Sequence, residues 1–179
     1  MKRSDNYFIG IILPRELEDT IERSREWMRR ECGCRSGMRT QPHITLIPPF
    51  GSSLSLSEMK SLLSPIAFKS FDVSVSGYGS FAERTIFARV EGNSELEKLK
   101  MDLSGHLRDC GVKTKDEKFF TPHITIANRD IRPEAFIPSM EHFGASNLRY
   151  SFTVDSIMVF EFRDYFWHSC DTNSVRFFS

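Results

Sequence analysis

Two of the five histidines in this 179-residue sequence stand in the same tetrapeptide, Pro42-His43-Ile44-Thr45 and Pro122-His123-Ile124-Thr125. Side chains alternate faces along a strand, so His43 and Thr45 share one face while Ile44 and Leu46 take the other. His123 and Thr125 are set against Ile124 and Ile126 in the same way. The apolar partners have a destination in a core. The His and Thr pairs must line something polar or wet, because four such groups are costly to bury without partners. Imidazoles titrate near neutrality, so two of them can divide the work of general base and general acid. A hydroxyl two residues on can donate to a non-bridging phosphate oxygen. Two copies thus supply a base, an acid and two oxygen clamps around one phosphodiester, with no nucleophilic side chain, cofactor or metal required. Each proton-transfer partner is worth typically about 10²–10⁴-fold in rate. One HxT triplet alone is a weak signal, and a duplication with inert histidines is the structural alternative. Proline before and isoleucine within both copies make coincidence remote.

The elements that must position these residues repeat as well. Tyr7 to Leu13 is a short apolar run, the pattern of a buried strand, and Pro14 opens a helix over about Arg15 to Glu31 with Leu17, Ile21, Ser24 and Met28 on one stripe. A loop from Gly33 to Pro42 leads to the strand of His43, which Pro48-Pro49 is expected to end. Ser55 and Glu58 have capping-box spacing before a short helix. Phe71, Val73 and Val75 alternate as a half-buried strand with a bend or bulge at Gly77 and Gly79. Ile86 to Val90 reads as a strand, Asn93-Ser94 as a cap, and Leu96, Leu99, Leu103 and Leu107 as one helical face. The loop Gly111 to Lys118 leads to the strand of His123. A helix is expected over Pro133 to Phe143, one long strand over Phe152 to Phe162, and a last strand over Val175 to Phe178. Glu16-Leu17-Glu18 recurs as Glu95-Leu96-Glu97, Cys32-Gly33 as Cys110-Gly111, and the His tetrapeptide as above, at offsets of 78 to 80. Three matches in one order predict a duplicated strand-helix-strand unit, about 7–48 and 84–128, packed about a pseudo-two-fold axis.

Composition bounds the partners. The chain carries 24 basic and 24 acidic residues, so it lacks the global field that drives non-specific duplex DNA binding. Cys32, Cys34, Cys110 and Cys170 match no zinc spacing and read as incidental thiols. The Tyr7 to Leu13 run is too short for a membrane span, and an acidic helix rather than a cleavage site follows it. A monomer in a reduced cytoplasmic setting, with no membrane partner, is expected.

At its paired motifs the sequence resembles the two-histidine (2H) phosphoesterase superfamily, in particular the bacterial 2′-5′ RNA ligase-like branch. The likeness spans nearly the whole chain, from the Tyr7 to Leu13 strand and Pro14 turn through PHITLIPPF (42–50) and PHITIANR (122–129). It implies an α+β, bilobal fold in one two-lobed domain over 1–179, with antiparallel sheets around a central cleft and helices outside. It also implies metal-independent work on cyclic nucleotide phosphates or RNA ends, with catalysis at His43 and His123 and phosphate contacts at Thr45 and Thr125. Many relatives carry an Arg five residues after the second His. Here that place is Asn128, and strand parity puts Arg129 on the His123 face.

Further substrate contacts are expected from Phe50 and Tyr7, by base stacking, and from Lys118 by phosphate steering. Each also has an ordinary packing or solvated reading. His106, His142 and His168 have no partner pattern and read as surface or packing residues. Three functions fit the residues: an enzyme opening 2′,3′-cyclic phosphates with weak reverse RNA joining, a nucleotide- or RNA-binding module lacking turnover, and a metabolite-specific phosphodiesterase. The intact double motif favours the first.

Overall fold

The computed structural model describes residues 5–115, 119–172 and 175–177. Ten strands and four helices run in the order β1 (Tyr7–Ile12), α1 (Arg15–Cys32), a 3-10 turn (Ser36–Arg39), β2 (His43–Phe50), α2 (Leu56–Leu63), β3 (Ala67–Lys69), β4 (Phe71–Phe81), β5 (Thr85–Val90), α3 (Ser94–Asp109), β6 (His123–Asn128), α4 (Pro133–Gly144), β7 (Arg149–Val154), β8 (Met158–Arg163), β9 (Phe166–Asp171) and β10 (Val175–Phe177). Eight strands form one antiparallel sheet in the order β7-β4-β5-β6-β2-β1-β8-β9, and β10 pairs in parallel with β3. The α+β expectation is met, and no described helix is long and apolar enough to cross a membrane.

The repeat is visible in the register. In one copy β1 pairs β2 with Ile12 opposite His43 and Gly10 opposite Thr45; in the other β5 pairs β6 with Arg89 opposite His123 and Phe87 opposite Thr125. The four-stranded halves meet where β2 and β6 pair through Ile44 opposite Ile124. Each connecting helix crosses this seam: α1, between β1 and β2, packs on β6, while α3, between β5 and β6, packs on β2. Leu17, Ile21 and Met28 of α1 and Leu96, Leu99, Leu103 and Leu107 of α3 bury their stripes against Ile44, Leu46, Ile124 and Ile126. The opposite sheet face at the seam stays open.

Local chemistry explains the ends. Asn93, rather than Ser94, caps α3, its side chain accepting from the Leu96 amide at 3.0 Å, and Ser55 and Glu58 close the capping box of α2. The duplicated Cys-Gly is a helix stop: Gly33 and Gly111 take φ of 74° and 77°, and Cys34 and Val112 amides return to the Met28 and Leu107 carbonyls.

Two expectations fail. Pro48-Pro49 does not end β2, which runs on to pair Phe50 with Tyr7. The prolines sit where β2 has an extra residue relative to β1 and where β6 no longer pairs with it, so no ladder bond is lost. The single strand over 152–162 is two: β7 edges the β4 side and β8 pairs β1 across the molecule, with Asp155-Ser156-Ile157 crossing between them. The hairpin β8-β9, turned by Asp164 and Tyr165 at φ of 51° and 68°, has no counterpart among the elements expected from sequence.

Nothing lies within 4 Å of a Cβ built on Gly33 or Gly111, so alanine there meets only the left-handed backbone penalty. Gly33→Ala and Gly111→Ala should each lower stability by about 1–2 kcal/mol, and the two losses should add within about 0.5 kcal/mol, in urea unfolding.

Candidate active site

The residues of β2 and β6 follow the same burial alternation from the histidine onward: His43, Thr45, His123 and Thr125 are half-buried, while Ile44, Leu46, Ile124 and Ile126 are buried. Continuing the Ile44–Ile124 register sets His43 opposite Thr125 and Thr45 opposite His123. The histidines therefore stand on a diagonal, a placement that spaces Cβ atoms by about 7–8 Å. All four line one cavity of about 750 Å³. Arg25, Arg39 and Arg129 also line it, and no carboxylate lines it among the described residues, so a neutral chain presents a cationic cleft there.

Both imidazoles are held alike. Nδ1 of His43 donates to the Gln41 carbonyl at 2.7 Å and Nδ1 of His123 to the Thr121 carbonyl at 2.8 Å. Each acceptor residue precedes a proline, which confines it to extended backbone and gives the repeated proline a purpose. With Nδ1 committed, Nε2 is the nitrogen left to exchange protons in the cleft.

Their surroundings differ. His43 packs against both Phe8, at 4.7 Å between ring centroids, and Phe160, at 5.1 Å, and Phe8 in turn stacks on Phe160 and meets the edge of Trp167. Burial here pushes the His43 pKa down from 6.5 to about 4. Charge on Arg25 and His123 acts in the same direction, against the Gln41 hydrogen bond. His123 meets Phe81, itself 38% exposed, edge-on at 5.0 Å, and Phe87 at 5.2 Å.

The other expected contacts divide. Arg129 lines the cleft, although not by strand parity: β6 ends at Asn128, Arg129 takes φ of 67°, and its amide donates to the Arg84 carbonyl. Tyr7 and Phe50 are corrections. Each is 2% exposed, they pack together at 6.3 Å, and the Tyr7 hydroxyl donates to the Leu54 carbonyl, so both belong to the core rather than the cleft. Lys118 lies outside the described residues. His142 stacks on Trp27 at 3.9 Å and His106 binds the Leu62 carbonyl, as packing residues would. The sequence reading missed Phe8, Phe81, Trp167 and Arg25. Phe8 was hidden in the continuous apolar run of β1, which shows no alternation of faces, and Trp167 had no signal without its hairpin.

A family model described as the 2′-5′ RNA ligase superfamily matches residues 13–165. No curated protein sequence matches significantly. Among solved structures, TT0787 of Thermus thermophilus superposes with a TM-score of 0.67 at 17% identity, covering 94% of this chain and 98% of that one. LigT of E. coli, complexed with 3′-AMP, gives 0.62 at 19% identity over 93% and 94%. The PDE domain of MHV ns2 gives 0.53 at 12% identity over 88% and 99%. These likenesses are of fold.

The depressed His43 pKa has a sign that stability can report. The folded chain binds fewer protons than the unfolded one between pH 6.5 and about 4, so His43 costs stability as pH falls through that window. His43→Gln should remove this part of the acid destabilisation, leaving a shallower fall in urea midpoint from pH 6.5 to 4; an unchanged slope would show that the ring is not desolvated.

Proposed function

The chain belongs to the 2′-5′ RNA ligase superfamily, and on that premise we propose that it is a phosphoesterase that opens 2′,3′-cyclic phosphates on nucleotides or RNA ends. The observation that carries the reading is the diagonal His43–His123 pair, each ring fixed through Nδ1, facing one cationic cleft. His43 is assigned as base, because burial keeps it neutral at pH 7. Its Nε2 takes a proton from water as the water oxygen bonds to phosphorus. The bond from phosphorus to one ribose oxygen breaks, and protonated His123 delivers its Nε2 proton to that oxygen. The product is a phosphomonoester beside a free hydroxyl, and solvent exchange restores both rings. Thr45 and Thr125 donate to the non-bridging oxygens while charge shifts in the transition state. A 5′-hydroxyl in place of water would join RNA ends by the same proton transfers, run as weak ligation. Phe81, Phe119 and Trp167 on the cleft walls offer faces on which a base can stack.

Turnover of a cyclic-phosphate panel should persist in chelator, and loss of activity restored by a divalent ion would count against the proposed acid-base chemistry. The profile of kcat/KM against pH should be a bell whose acidic limb lies below 6.5, towards 4, because the base works only when deprotonated.

Thr45→Val and Thr125→Val keep the β-branched shape and should each lower kcat about 10²-fold, the lower end for a lost oxyanion donor, with affinity changed much less. His43→Ala or His123→Ala should cost more, and the double mutant little beyond the worse single. Wild-type turnover in both histidine mutants, with affinity alone lost in the threonine mutants, would make the cleft a binding site.

A further inference from the structure

Resting on the acid–base reading above, the next question is what holds the two motifs at a working distance. They belong to different halves of the sheet, and β2 and β6 pair only through Ile44 opposite Ile124. At that seam lies Arg25, which rises from the stripe of α1 that crosses from one half to the other and reaches the lining of the cleft. It is 2% exposed. Its Nε and Nη2 both donate to the Thr125 carbonyl, at 3.1 and 2.9 Å, and its Nη1 donates to the Thr40 carbonyl at 2.8 Å. Thr125 is the clamp of the second motif. Thr40 adjoins Gln41, whose carbonyl orients His43. One planar fork thus ties the backbone of the second motif to the loop that leads into the first.

We propose that Arg25 is a positioning residue that sets the separation of the two HxT strands, and with it the span between the two imidazoles.

Folding alone does not explain this residue. A buried guanidinium gives up its hydration, and its ionic partner, Glu22 at 3.2 Å, is 42% exposed and offers a screened charge in return. Ile21 and Met28 lie on the same stripe, so an apolar side chain would suit the helix better. What the apolar chain could not supply is a rigid set of donors reaching a carbonyl on β6 and a carbonyl in the loop before β2, and lysine could not supply it either. The surrounding chain is built to the same end. Asp130, two residues past β6, accepts from the Arg35 and Ser36 amides at 2.6 and 2.8 Å and from the Ser36 hydroxyl at 2.7 Å. Ser36 Oγ accepts from the Asn128 amide at 2.9 Å. Gly37 lies so close to β6 that a Cβ would come within 2.3 Å of the Ile126 carbonyl and 3.4 Å of Arg25 Nε. The loop before the first motif is therefore fastened to the strand of the second. Within that suture Arg25 is the member that touches a motif residue itself. Its fixed charge, with that of His123 across the cleft, also lowers the proton affinity of His43.

The test compares Arg25→Lys, which keeps the charge and loses the fork, with Arg25→Ala, in turnover of adenosine 2′,3′-cyclic phosphate. Misplacement by an ångström is worth up to about 10²-fold, so Arg25→Lys should lose about 10–100-fold in kcat with KM within about threefold. Arg25→Ala should lose at least as much, and millimolar guanidinium chloride, but not sodium chloride, should restore part of it. The acidic limb should move up towards 6.5 in Arg25→Ala and stay in place in Arg25→Lys. Wild-type kcat in Arg25→Lys overturns the proposal, as does a loss in Arg25→Ala that follows its melting curve and is not rescued. If Arg25→Ala does not fold, Arg25→Lys decides. Should the wild-type chain turn over no cyclic phosphate, the acid–base reading fails separately, and inorganic phosphate titrated against the histidine Cε1 proton resonances still decides. One dissociation constant for both rings in the wild type and a weaker or divided response in Arg25→Lys supports positioning; identical titrations overturn it.

Discussion

The constraint on which the site depends is the burial of Ile44 and Ile124 against each other and against two helices at the seam of the sheet. Strand alternation leaves no freedom once that face is chosen: a slip of one residue in either strand would send His and Thr into the helices and isoleucine into the cleft. The hydrophobic effect, which is non-directional, thus fixes polar groups to the precision of a strand register. The crossing of the helices serves the same end. Because α1 covers β6 and α3 covers β2, neither half can bury its own stripe without the other half present, and the two motifs are brought together by the same burial that stabilises the fold.

Under the proposed chemistry a symmetric scaffold carries an asymmetric task, since acid–base transfer needs one neutral and one protonated ring. The backbone treats both histidines alike, down to the carbonyl two residues back. The difference comes from the strands beside them. β8 and β1 supply Phe160 and Phe8 to enclose His43, whereas Phe87 and the more exposed Phe81 flank His123 towards the mouth. Duplication could place two equivalent imidazoles; the flanking aromatics have since diverged, and burial among them lowers the proton affinity of His43.

What was legible in the sequence follows from the range of each signal. The paired motifs, the alternation of their strands, the helical stripes and the repeat are local patterns, and each appears where the residues imply. The duplicated Cys-Gly was visible as a repeat before its role as a helix stop was. Failures came where a tertiary neighbour decides. Pro48-Pro49 reads as a strand end only if both sides of β2 need hydrogen bonds there, and one side does not. Residues 152–162 read as continuous because the short Asp155-Ser156-Ile157 crossing lacks glycine and proline. Tyr7 and Phe50 have the chemistry of a stacking platform, but they pair across a bulge and close the core instead. Arg25 was invisible for the opposite reason: a charged residue on an apolar stripe, in a helix with many arginines, carries no local mark of its long-range partners.

Charge placement shows how a chain of zero net charge can still present a cationic cleft. On the outer face of α1 Glu18, Asp19, Glu22 and Glu26 stand among Arg15, Arg23, Arg29 and Arg30, while three arginines and two histidines line the cleft. At physiological salt fields decay over about 8 Å, so a cationic cleft of this size acts on what enters it and little on what passes. A long duplex gains from many scattered phosphate contacts, each releasing counterions, and a chain with as many acidic as basic residues has no net field to add to them. A single phosphate at a chain end or on a free nucleotide needs only the enclosed charges, where low dielectric makes them count for more. The neutrality of the sequence and the polarity of the site are therefore compatible: charges of both signs offset one another over the chain, while the described lining of the cleft is cationic where the proposed chemistry would occur.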